Sequence, residues 1–213
     1  MEALERGFIS NNWVTGLFVF GLLLIFFLKL FRAVKLSGYA ASIFNKGFIE
    51  IESQEKTTPI TFFHSVFTLF SFLSISMTVY FLLKEYKEDL ESNFIEYLQW
   101  SSYILIYILG RFFLEFLLMG LLEVKGILKY FILSKRSYLY SISIGLFLLN
   151  LVYFYAVQKQ KFLLIGAIIL FGIRLLLIIS NNKKLIIKEL FYFILYLCAF
   201  EIAPLFILFK LIF

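Results

Sequence analysis

Leu22-Leu23-Leu24-Ile25-Phe26-Phe27-Leu28 is the stretch whose reading decides the fold class. A strand of a membrane β-barrel alternates lipid-facing and lumen-facing residues over about ten positions, and these seven consecutive apolar side chains do not alternate. A helix apolar on every side belongs in hydrocarbon. Working outward, the run extends from about Trp13 to Leu30. Similar runs follow at about Thr61 to Leu83, Tyr97 to Leu122, Ser137 to Val157, Phe162 to Ile179 and Leu190 to Ile212. Each is near the roughly 20 residues a helix needs to cross about 30 Å of hydrocarbon. The expectation is an all-α polytopic membrane protein, a six-helix transmembrane bundle forming one domain over residues 1–213.

Composition agrees. Of 213 residues 62% are hydrophobic and 16% charged, against about 45–50% and about 25% in soluble domains. A soluble globule is excluded. The single Cys198 lies in an apolar run, so neither a disulfide nor a CxxC pair is available. A formal charge of +6 is read as basic flanks facing anionic lipid and cytoplasm, not as a nucleic-acid footprint.

The flanks orient the chain. The first run has Glu2, Glu5 and Arg6 before it and Lys29, Arg32 and Lys35 at its far end, the pattern of an uncleaved anchor entering N-terminus out. Connections one, three and five carry twelve Lys and Arg, among them Lys46, Lys125, Arg136 and Lys183, whereas Arg6, Lys84, Lys87, Lys159, Lys161 and Lys210 make six on the opposite side. The positive-inside rule then places both termini outside the cytoplasm. The second connection carries Glu85, Glu88, Asp89, Glu91 and Glu96, a negative outer patch.

In the first connection Val34, Leu36, Tyr39, Ala40, Ile43, Phe44, Gly47, Phe48 and Ile51 recur at helical spacing, with Lys35, Ser42, Asn45 and Lys46 between them. This predicts one amphipathic helix of about 18 residues on the cytoplasmic surface, its Tyr39, Ile43, Phe44 and Phe48 face resting on lipid or docking a partner. Pro59 stands where it can open the second span.

Four ionisable residues fall inside spans: Arg111 and Glu115 in the third, Arg174 in the fifth and Glu201 in the sixth. Each costs about 2.5–3.5 kcal/mol near a helix centre and needs a partner or a watery cavity. Gln99, Tyr103, Tyr107, Arg111 and Glu115 follow at four-residue steps and form one inward stripe. The expected network links helices, Glu201 accepting from Arg174 or Arg111. Ser143, Asn150 and Tyr153 of the fourth span present one face to the same interior, and Ser137, Ser141 and Gly145 form a ridge for close helix packing. Pro204 frees the carbonyl of Phe200 and sets a kink beside Glu201, a feature of a kinked packing helix or of a transport site.

Enzymatic signatures are missing. The one histidine, His64, opens the second span as a polar anchor, without HExxH, a Cys cluster, GxSxG, a P-loop or GxGxxG. No catalytic residue, metal or cofactor is expected.

The sixth-span string Phe191-Tyr192-Phe193-Ile194-Leu195-Tyr196-Leu197-Cys198-Ala199-Phe200-Glu201-Ile202-Ala203-Pro204-Leu205 resembles the closing motif of a family of uncharacterised Bacteroidetes inner-membrane proteins, a domain of unknown function. Gly110-Arg111, Asn150 and Arg174 look like that family's other marked positions. The resemblance implies a bacterial inner-membrane location and no assigned activity. After Asn150 this chain continues Leu151-Val152-Tyr153-Phe154-Tyr155 where the family pattern has glycine and proline, so no kink is expected there. The functional expectation is a non-catalytic membrane subunit or accessory of a larger envelope complex, partnered by the bilayer and other membrane subunits and by no nucleic acid. The alternative is a small transporter or flippase.

Overall fold

The computed structural model describes residues 12–43, 45–54, 62–86, 93–121 and 125–181, with side chains described except at 46, 53, 54, 85, 86 and 111–129. Among the described residues all regular structure is helical: α1 (Asn12–Ala40), α2 (Lys46–Gln54), α3 (Phe62–Tyr86), α4 (Phe94–Leu121), α5 (Lys125–Val152) and α6 (Gln160–Asn181). Four of these, α1, α3, α5 with its continuation to Val157, and α6, are long and apolar enough to cross a membrane.

Spacing decides which side of α1 is inside. Val14, Phe18, Gly21, Leu24 and Leu28 recur every three or four residues and are buried, while Phe20, Leu23, Phe26, Phe27, Leu30 and Phe31 point outward. α3 is the central helix and packs on α1, α4, α5 and α6. Its Phe67, Phe70, Leu73 and Met77 meet Phe18 and Phe147 in the main core. At Gly21 a Cβ would overlap the Phe147 ring, so glycine lets α1 and α5 approach closely here.

α1 breaks at Arg32, where φ is −154° and ψ 77°, close to the expected end near Leu30, and helix resumes beyond the break to Ala40. Three features differ from the sequence reading. The predicted single amphipathic helix is instead two pieces, the tail of α1 and the whole of α2, separated by a turn at 41–43. The cause is local. Asn45 Oδ1 accepts from the Gly47 amide at 3.1 Å, the bond of an N-cap, so Asn45 starts a new helix instead of continuing the old one. α5 starts at Lys125 rather than at Ser137, which puts Lys135 and Arg136 within a helix.

The third difference follows Asn150. Tyr153–Val157 form a π-helical turn, closed by the Gln158 amide donating to the Tyr153 carbonyl at 2.9 Å, with Gln158 in the left-handed region at φ 50°. The helix does depart from α geometry where none was expected. Gln158 and Lys159 alone join α5 to α6, and Gln160 Nε2 donates to the Leu82 carbonyl at 3.0 Å, tying the hairpin to the end of α3.

Candidate functional site

The polar chemistry of the described interior is concentrated along the seam between α3 and α5. α3 buries Ser71, Ser74, Ser76 and Thr78, and each hydroxyl lies 2.9–3.0 Å from a carbonyl one turn back, those of Phe67, Phe70, Leu73 and Ser74 respectively. That back-bonding lets a hydroxyl sit in an apolar interior. Asn150 crosses from α5, wholly buried, and its Nδ2 donates to the Ser74 carbonyl and to Thr78 Oγ1, both at 3.0 Å. Thr78 Oγ1 also lies 3.1 Å from Asn150 Oδ1. One amide side chain therefore clamps a full turn of the neighbouring helix. Ser76 further meets the Tyr97 hydroxyl at 2.9 Å, extending the seam to α4.

At the end of the bundle where α1 finishes, the seam meets the α1–α2 turn. Ser42 Oγ donates to the Ser137 carbonyl at 3.2 Å and Ser141 Oγ to the Ala40 carbonyl at 2.6 Å. Tyr140 stacks on Phe67 with centroids 4.2 Å apart, and its hydroxyl, Thr68 Oγ1 and the His64 carbonyl form a hydrogen-bonded triangle. Lys35 Nζ reaches both oxygens of Glu52, so α2 is fastened to the tail of α1 by an ion pair. Gly38 permits that approach, because a Cβ there would overlap the Phe48 ring.

The predicted site residues fall into three sets. Asn150 is buried as its position on an inward face implied, but its partners are Ser74 and Thr78. Ser143 bonds the Leu139 carbonyl of its own helix, and Tyr153 packs on Phe81. The ridge of Ser137, Ser141 and Gly145 is where α5 meets the α1–α2 turn and α6, Gly145 lying against Leu170. Arg174 is buried on the inner face of α6 with Leu163, Ala167 and Ile178, and Tyr107 is half-buried in α4.

The second set belongs to the first connection. Tyr39 is wholly buried against Phe48, Phe63, His64, Phe67 and Tyr140, and Ile43 and Phe48 are half-buried against the chain's own core. Ser42, expected to face water, is buried, and Lys35 is paired. Tyr39, Ile43 and Phe48 are therefore spent within the chain, and among the described residues of this connection the large outward apolar side chains are Val34 and Ile51. His64 is likewise a buried ring, beneath Tyr39 and Tyr140.

The third set lies outside the described residues: Phe44, Glu201, Pro204 and the side chains of Arg111 and Glu115. Ser74 and Thr78 were missed by sequence reasoning, although two hydroxyls four residues apart in an apolar run are the signal that marks one helix face. Lys35 with Glu52 was missed because the pair is 17 residues apart and spans a turn.

No curated protein and no solved structure matches the chain. Residues 14–212, which include every element described above apart from the first two residues of α1, match the family described as Domain of unknown function (DUF4271), and the chain belongs to that family.

Proposed function

We propose that the chain is a six-span, non-catalytic subunit or assembly factor of a larger bacterial envelope complex, for example one for protein export. It lies in the cytoplasmic membrane with both termini periplasmic. The carrying observation is how its interior polarity is used: Asn150, the α3 hydroxyls and Ser141 are hydrogen-bonded to neighbouring helices or to their own backbone. A bundle tied in this way is a scaffold, and the outward rows of α1 and α6, including Phe26, Leu30, Ile168 and Leu176, offer lipid and neighbouring subunits an apolar surface. Purification from native membranes in mild detergent, followed by native mass spectrometry, tests this. Stoichiometric foreign subunits are expected. A chain that runs alone and conducts substrate-dependent flux in proteoliposomes overturns it.

A small transporter or flippase is the second reading, and burial of Arg174 at 7% exposure favours it. A cation held inside a span is a default marker of a pathway or of an ion pair. Glu201→Gln separates these: lost stability, partly restored by Arg174→Gln or Arg111→Gln, indicates a structural pair, whereas a stable protein lacking flux indicates transport.

A further inference from the structure

The opposite end of the bundle holds a second constellation that the scaffold role leaves unused. There the first turn of α1, the last turns of α3 and the first turn of α4 bring four aromatic rings together. Trp13 lies 5.5 Å from Tyr80, 5.5 Å from Tyr97 and 5.9 Å from Phe94, and Tyr80 lies 5.6 Å from Tyr97. Glu96 stands in the first turn of α4, between Phe94 and Tyr97 in the chain.

Among the described residues, three polar atoms on these side chains are buried without a hydrogen-bond partner: Trp13 Nε1, the Tyr80 hydroxyl and Glu96 Oε2. Tyr97 differs, its hydroxyl being engaged by Ser76. Tyr80 is 2% exposed, so its hydroxyl gains nothing from bulk water. A buried carboxylate oxygen without a donor costs free energy, and a cationic donor removes that cost. Aromatic faces are negative at their centres and attract the same class of ligand.

We propose that Trp13, Tyr80, Phe94, Tyr97 and Glu96 form a site for an organic ammonium group, primary or quaternary. Glu96 supplies the counter-charge, the rings supply faces for the N–H or N–CH₃ groups, and the Tyr80 hydroxyl supplies a further acceptor. Trp13 is the outer wall, because it is half-buried and stands at the second residue of α1, next to the 42% exposed Phe94. The ammonium can come from a free amine or from the head group of an ethanolamine or choline lipid.

The chain has two tryptophans, so Trp100→Phe leaves Trp13 as the sole reporter. The full-length Trp100→Phe protein in detergent is titrated with tetramethylammonium chloride or ethanolamine hydrochloride, against sodium chloride at matched ionic strength. Nanodiscs containing phosphatidylethanolamine are compared with nanodiscs of phosphatidylglycerol alone. A saturable change in Trp13 emission with either soluble amine identifies a free ligand. A change confined to the phosphatidylethanolamine discs identifies a lipid head group. In either case Glu96→Gln is expected to weaken the response roughly tenfold or more. Tyr80→Phe keeps the ring packing and serves where Glu96→Gln does not fold. Emission that follows sodium chloride in every arm, or variants that respond like their parent, overturns the proposal.

Discussion

Lys35 and Glu52 form an ion pair at 2.7 Å that is 16% exposed on the lysine side chain and 5% on the glutamate, and it closes a hairpin between the tail of α1 and α2. Breaking a buried pair by removing one member costs about 3–5 kcal/mol, because the other charge is left in a poor solvent. Lys35→Met should therefore release α2, read as faster hydrogen exchange across residues 46–54. The double variant Lys35→Met/Glu52→Leu should recover most of the protection.

The clamp between α5 and α3 makes a second prediction. Asn150→Leu removes donors to the Ser74 carbonyl and to Thr78 Oγ1, and a loss of about 1–2 kcal/mol is expected by reversible unfolding in detergent. Combining it with Thr78→Val should give a coupling energy of about 0.5–1.7 kcal/mol. Strict additivity would mean that the two side chains do not interact.

Gly21 gives a steric test. Alanine there meets the Phe147 ring, and overpacking of this kind costs about 1–3 kcal/mol. Gly21→Ala should lower the midpoint of thermal unfolding, and Phe147→Leu introduced with it should restore part of the loss.

The left-handed residue between α5 and α6 predicts a gain. Gln158 adopts φ 50° without being glycine, so Gln158→Gly should be neutral or stabilising by up to about 1 kcal/mol. Gln158→Val should destabilise, since a β-branched side chain tolerates that backbone least. The unfolding midpoints of the two variants should bracket that of the parent.

Much of this architecture is readable from the sequence where one solvent dictates the answer. Hydrocarbon leaves the backbone amides only helices or closed barrels, and a run such as Leu22 to Leu28 does not alternate, so it could only be a helix. The inward face of Asn150 follows from the same reasoning. What hydropathy does not carry is how polar residues are satisfied at helix ends. Asn45 caps α2 from the surface, whereas Ser42 bonds a carbonyl 95 residues away and Lys35 finds Glu52 across a turn, so two residues that look solvated are turned inward. The partners of Asn150 were hidden for a related reason: serine and threonine in an apolar run satisfy themselves on their own carbonyls and leave no mark on hydropathy. The π turn at Tyr153–Val157 has neither glycine nor proline to announce it.

The brevity of the Gln158–Lys159 connection bears on biogenesis. Two apolar helices separated by two residues leave a translocation machinery no soluble segment to export between them. In the topology proposed above they are expected to leave the translocon laterally as one hairpin, moving little more across the bilayer than Gln158, Lys159 and the neighbouring Gln160 and Lys161. Lengthening this connection would uncouple the two insertions, and a glycosylation acceptor or protease site placed in it would report when the tip crosses.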